Sequence, residues 1–329
     1  MPWNLIGHQW AATLLQRHIQ ESVLRHAYLI TGAPGLGRKN LAVQFMMALN
    51  CTNTPEPGTA CGRCSTCQRI VRLEHPDVFP VESDENSSTI KIDQIRGLIH
   101  NLSLVPYEAP YRIGYLLDFD QANQESQNAL LKTLEEPGKQ IVLIIIAQSG
   151  DQLLETITSR CEEVHLRPLP IATVKTGLQE KYGIPEIEAD QLAHISGGRP
   201  ETAYDFHRNP ELMETRSLIL EDLQDMLQSS RVAKIKFAAE IEKKPQYITE
   251  LLKHWNSFWH DALLTVGGSR APIQNIDCIQ NLERVAEQLD LIQIHGVLSS
   301  LENAEVLLSQ NANTRLTLEN LLLQIPTIR

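Results

Sequence analysis

The chain has 329 residues, 42% of them hydrophobic, and a formal net charge of −11 at pH 7. That length allows two or three domains with cores of their own, and the acidic balance argues against a stand-alone protein that holds DNA by neutralising phosphates. No apolar run approaches the roughly 20 residues that cross a bilayer; the longest, Ile141–Ala147, reads as a buried strand. MPWNLIGHQW lacks the basic start and apolar block of a secretory signal, so the expected location is the cytoplasm, with no membrane partner.

In chain order, Leu5–Val23 is amphipathic and predicts a helix, Ala27–Thr31 a buried strand, and Arg38–Asn50 a helix after a glycine-rich turn. Asp77–Glu82 predicts a strand, Ile92–Leu102 a helix, Tyr111–Leu117 a third strand, and Asn123–Glu136 a helix stopped by Pro137. Ile141–Gln148 and Glu162–Leu166 complete the strands. This alternation predicts an α/β domain over 1–166 with a mostly parallel sheet. RPLP, Arg167–Pro170, breaks either regular pattern. Beyond it the sheet signal ends: a small helical domain is expected over 167–208, containing the turn SGGRP, and an all-α domain over 209–329. Its predicted helices are Leu212–Gln228, Arg231–Glu242, Ile248–Val266, Cys278–Leu289 and Ile292–Ser309.

Four of the six cysteines, Cys51, Cys61, Cys64 and Cys67, follow the spacing C-x9-C-x2-C-x2-C, and Cys161 and Cys278 stand alone. Two overlapping C-x2-C steps let neighbouring thiolates converge on one ion, and the loop 52–60 can return Cys51 to them. Four thiolates satisfy Zn²⁺ tetrahedrally with no open position, so the expected site is structural. The bland alternative, four buried apolar thiols, sits badly with the polar setting of CGRCSTC. Cys161 and Cys278 are expected to be buried or inert.

HAYLITGAPGLGRKNLAVQF, residues 26–45, begins as a phosphate-binding loop: an apolar strand, then Gly32, Gly35 and Gly37, then a helix. The pattern G-x-x-x-x-G-K-[ST] then fails. Arg38 stands where the Lys belongs, and its planar fork is not a point-charge substitute. Lys39 stands where a hydroxyl should hold Mg²⁺, and an ammonium has only donors. The third strand should end in acids that orient Mg²⁺ and water; YLLDFDQAN offers Asp118 and Asp120. The loop predicts a degenerate site that can still hold an anion through its backbone but does not hydrolyse ATP.

GHQ (Gly7–Gln9), HAYL (His26–Leu29), the cysteine hook, HPD (His75–Asp77), NALLKTLEEP (Asn128–Pro137) and SRC (Ser159–Cys161) occur together in this order. This set resembles the bacterial clamp-loader subunits of DNA polymerase III, within the AAA+ superfamily, mostly over the N-terminal two-thirds. Asn311–Leu323 is similar to the last helix of that family. The resemblance implies an AAA+ P-loop-type α/β domain with the hook inserted at 51–67, a small helical lid and a helical oligomerisation collar. The family has an ATP-hydrolysing branch, gamma/tau, and a non-hydrolysing branch, delta prime. Counting back from Asn128, the family's paired acids fall on Leu117 and Asp118, so the metal-orienting acid is a leucine. The family's sensor arginine would fall near Glu201, with Arg199 beside it, and no role is transferred to either.

These departures make the chain resemble the non-hydrolysing branch. The resemblance further implies that Arg160, the arginine of SRC, acts as a finger in trans on ATP bound with Mg²⁺ by a neighbouring subunit. Implied partners are other loader subunits (gamma/tau and delta) and, through the assembly, the sliding clamp and primed DNA within the DNA polymerase III holoenzyme. The alternatives are an active gamma/tau-like ATPase and a zinc-dependent nucleic-acid-binding protein. In NALLKTLEEP, Leu130, Leu131 and Leu134 fall at helical spacing and are expected in the core, with Lys132, Glu135 and Glu136 on other faces. Trp255 and Trp259 are expected to pack between helices, since no basic stripe accompanies them, and His254 and His260 to lie on the surface.

Overall fold

A computed structural model describes residues 3–83 and 89–328, which form two compact units. The first, residues 1–182 with 198–202, is built on a five-stranded parallel sheet. In chain order its elements are α1 (Gln9–Gln20), β1 (Ala27–Thr31), α2 (Arg38–Asn50), α3 (Ser65–Val71), β2 (Val78–Val81) and α4 (Ile92–Leu102). β3 (Arg112–Leu116), α5 (Gln124–Glu135), β4 (Ile141–Ala147), α6 (Glu155–Thr158), β5 (Glu162–His165) and α7 (Ile171–Tyr182) follow.

The strand order is β2-β3-β4-β1-β5, the P-loop-type sheet expected. β1, wholly buried, lies inside, flanked by β4 and β5. Because side chains alternate across a strand, Tyr28, Ile30, Tyr115, Ile144 and Ile146 pack towards α1, α2 and α3. Leu29, Leu116, Leu143 and Ile145 pack towards α4, α5 and α6. Leu29 and Leu116 both pair with Ile145, so these parallel strands point the same way and β1 runs only two residues past the end of β3. The loop after β1 and the acids after β3 therefore share the carboxyl edge, where ligands of open α/β sheets sit.

The second unit, residues 183–197 with 203–329, is helical: α8 (Glu186–Ile195), most of α9 (Pro200–Arg208), α10 (Pro210–Gln228), α11 (Arg231–Ile241), α12 (Pro245–Val266), α13 (Ile279–Gln288), α14 (Leu291–Ser309) and α15 (Thr314–Gln324). Trp255, Phe258 and Trp259 are fully buried at its centre, and Trp255 Nε1 donates to the Ile219 carbonyl at 2.9 Å. That is the packing role expected of both tryptophans. His260 is exposed as expected, but His254 is not on the surface. It is buried, 3.4 Å from Glu250, and burial lowers its pKa. Position 254 falls three after Leu251 and four before Phe258, on the buried stripe of α12.

A polar network invisible in sequence ties this unit together. Arg216, 1% exposed, reaches Asp277 at 2.5 and 3.0 Å and Asn275 at 2.6 Å. The fully buried Asp261 accepts from Asn275 N–H at 2.7 Å and Gln274 N–H at 3.2 Å. His194 of α8 meets the Ile273 carbonyl at 2.7 Å, so the loop before α13 is fastened on two sides.

The aspartate of HPD acquires a role in the first unit. Asp77, fully buried, accepts the backbone N–H groups of Tyr107, Glu108 and Ala109 at 2.7, 2.9 and 3.0 Å, with Arg112 Nε 3.4 Å away. Burial alone would raise its pKa, but the three N–H groups and Arg112 outweigh that and hold it below the usual carboxylate range. The segment between α4 and β3 is thereby fixed although Val105 and Tyr107 are exposed. Asp77→Asn turns one acceptor into a donor facing N–H groups and should cost about 2–4 kcal/mol, read from denaturant midpoints. Since the folded pKa is depressed, this contribution is full above the unfolded value of about 3.9 and fades as pH falls through the folded one. The variant should therefore lose less stability than the native chain below about pH 4.

Candidate functional site

The four hook cysteines converge. Cys51 closes α2, Cys64 caps α3, and the sulfurs of Cys51, Cys61, Cys64 and Cys67 all lie within 4.8 Å of one another. Cys51 and Cys64 sulfurs are 4.0 Å apart; Zn–S bonds of about 2.3 Å would set tetrahedral sulfurs about 3.8 Å apart. The Cys61, Cys64 and Cys67 N–H groups donate to the sulfurs of Cys51, Cys61 and Cys64 at 3.3, 3.3 and 3.4 Å, which favours thiolates. Burial pushes the Cys64 thiol up, but the Cys67 N–H and neighbouring side-chain hydrogen bonds outweigh it and bring the pKa down to about 6. Burial raises Cys51 and Cys67, as expected when packed thiols face one another without a cation.

The connecting loop is pinned to the N-terminal segment, with Trp3 Nε1 donating to the Gly58 carbonyl and Gln20 Nε2 to that of Pro57, each at 3.0 Å. The donor set can thus hold one metal ion in a closed shell, as the spacing predicted. Burial pushes the Cys161 and Cys278 thiols up to about 12 and about 11, which keeps both protonated.

The glycine-rich loop leaves β1 at Gly32 and enters α2 at Gly37, with positive φ at Gly32, Gly35 and Gly37. Arg38, 5% exposed, turns inward, and its Nη2 lies 3.6 Å from one oxygen of Asp118. Lys39 Nζ reaches the other oxygen at 3.1 Å. The two residues that replace the phosphate-binding Lys and the Mg²⁺-binding hydroxyl thus grip the same acid. Asp118 takes a left-handed conformation, φ 45°, to present its carboxylate there. Leu117, which the resemblance sets where a metal-orienting acid is expected, is buried in the core. Asp120 accepts the Gln148 N–H at 3.2 Å and makes no ion pair with either cation among the described contacts.

Arg160 follows α6, with its side chain 36% exposed. Its Nη2 donates to Glu135 Oε1 at 2.9 Å and its Nη1 to the Thr156 carbonyl at 2.8 Å. Glu135 comes from NALLKTLEEP, whose Leu130 and Leu134 are buried while Leu131 is half-buried and Lys132 and Glu136 are exposed. The motif's apolar face builds the core, and one of its acids orients the SRC arginine. That link joins residues 25 apart and has no periodic signature.

The family model described as "DNA polymerase III, delta subunit" matches residues 7–170, and that described as "DNA polymerase III, delta subunit, C terminal" matches residues 210–327. The chain belongs to the DNA polymerase III delta-subunit family. Among similar proteins, DNA polymerase III subunit delta' of Pseudomonas aeruginosa is 33% identical over 211 residues, 63% of each chain. Subunit delta' of Bacillus subtilis is 32% identical, over 63% of this chain and 61% of its own. Subunit delta' of Escherichia coli K12 is 25% identical over 91% of this chain and 88% of its own. The first two alignments therefore span less than two thirds of those relatives.

The convergence of thiols makes a direct expectation. Titrated with Co²⁺ after reduction, the chain should take up one equivalent and develop the visible bands of a tetrahedral tetrathiolate site. Replacing Cys61 and Cys64 by Ser should abolish them. Bands of unchanged intensity in that variant would place the ion elsewhere.

Proposed function

We propose that this chain is a non-hydrolysing, delta-prime-type subunit of a DNA polymerase III clamp loader. In that assembly it helps to place a sliding clamp on primed DNA while gamma/tau-type neighbours bind and hydrolyse ATP with Mg²⁺; delta is a further partner. The supporting observation is the double grip of Arg38 and Lys39 on Asp118, with Leu117 buried where a metal-orienting acid is needed. A loop without a Mg²⁺ hydroxyl, a metal-orienting acid or a free second carboxylate lacks the parts that phosphoryl transfer requires.

Arg160 is the residue that this chain contributes to catalysis, as a finger on the neighbour's ATP. Its bond to Glu135 presents the guanidinium in a fixed direction, and its exposure leaves it accessible to an adjoining subunit. Zn²⁺ occupies the cysteine hook, and its closed shell gives it a structural role. In this reading residues 1–166 form the AAA+ domain, 167–208 the lid and 209–329 the collar through which the cytoplasmic complex assembles.

Arg160→Ala should leave assembly intact by gel filtration and slow the served ATP site by about 10³ or more under DNA stimulation. Arg160→Lys should not restore it, because an ammonium lacks the planar fork. Undiminished turnover in both variants would remove the finger role.

A further inference from the structure

The first turn of α2 contains no acid, yet two carboxylates from distant parts of the chain meet it. Asp118 is the one already described. Glu201, which lies in the first unit, is the other. Its backbone N–H donates to the Gly35 carbonyl at 2.9 Å, and its Oε1 lies 3.9 Å from where a Cβ on Gly37 would stand. The next residue, Thr202, sits so close that a Cβ on Gly35 would collide with its hydroxyl. Residues 201 and 202 therefore lie directly on the loop, and the acid among them faces the end of the helix where the dipole is positive.

Arg38 and Lys39 meet Asp118 there, and the Glu201 carboxylate stands over the same turn at Gly37. Lys181, whose ammonium donates to the Asn4 carbonyl at 2.8 Å, also feels Glu201. Beneath the loop, the buried Tyr115 hydroxyl has its pKa raised first by burial and then by Asp118 and Glu201, which puts both carboxylates in the same field. Arg38 is buried and one of its terminal nitrogens has no hydrogen-bond partner among the described residues. A buried cation in that state needs the nearby carboxylates.

We propose that Asp118 and Glu201 are internal substitutes for the phosphates of a nucleotide: they neutralise the loop's cations and helix end from within, and so exclude polyphosphate. The site is an anion-binding cradle filled by the protein's own acids. A polyphosphate would have to expel two carboxylates whose cations it needs. The inference rests on the reading that this loop no longer hydrolyses ATP, but it assigns the exclusion to two named side chains and makes it reversible.

The test is calorimetric titration of the full chain with inorganic tripolyphosphate in EDTA, comparing native protein with Asp118→Asn, Glu201→Gln and the double variant. The native chain should show no saturable binding at millimolar concentration. The double variant should bind at least about tenfold more tightly, an order set by charge-assisted contacts regained. Adding Lys39→Ala to it should cancel the gain. A folded double variant that binds no better than the native chain overturns the proposal while leaving the finger role untouched. If the double variant melts below the working temperature, Glu201→Gln alone decides, and absence of any gain there has the same meaning. Stoichiometric binding with turnover by the native chain would instead overturn the underlying reading.

Discussion

Asp118 is held between Arg38 and Lys39, 3.6 and 3.1 Å away, and much of what this domain can do follows from that contact. An NTP site needs its carboxylates free for a metal and its cation free for phosphate. Here Asp118 is paired with both cations. In the proposed reading, the sheet edge, turn and helix end where open α/β folds bind ligands carry an ion-paired joint instead. Arg38 is buried, but the side chains of Asp118 and Lys39 are 30% and 53% exposed, so the contact adds little net stability and its main consequence is to fix a conformation.

Other parts of the first unit share that character. The thiol hook is tied to the N-terminal segment by the Trp3 and Gln20 hydrogen bonds, and Asp77 holds three successive N–H groups of the segment before β3. Arg160 rests on Glu135. Each is a polar contact between residues 25 or more positions apart that fastens one segment of the first unit to another. The proposed finger role of Arg160 needs the side chain held still, because misplacement of a catalytic group by about 1 Å can cost on the order of 10²-fold in rate.

Local features of the sequence were legible. β1 and the helices Arg38–Asn50 and Ile92–Leu102 have the bounds their patterns predict, because a buried strand and an amphipathic helix each leave a period in the sequence. The cysteine hook was legible because metal-ligand geometry dictates spacing. The departures from the phosphate-loop pattern at Arg38 and Lys39 were legible, since residue type alone carries them. What stayed hidden was long-range. Nothing around Glu201 reveals that it approaches Gly37, nor does Asp77 announce that it serves residues 107–109. The Arg216–Asp277 pair joins residues 61 apart. His254 was a different failure: its place on the α12 stripe was visible, and its polarity outweighed its position.

The most direct measurement is single-turnover hydrolysis of Mg²⁺-ATP by the purified chain alone, with enzyme in excess over nucleotide. The account predicts no cleavage above the buffer rate, because Asp118 is engaged by Arg38 and Lys39 and an ammonium at position 39 cannot hold Mg²⁺. Cleavage at a rate ordinary for an NTPase, abolished by Asp118→Ala, would contradict it.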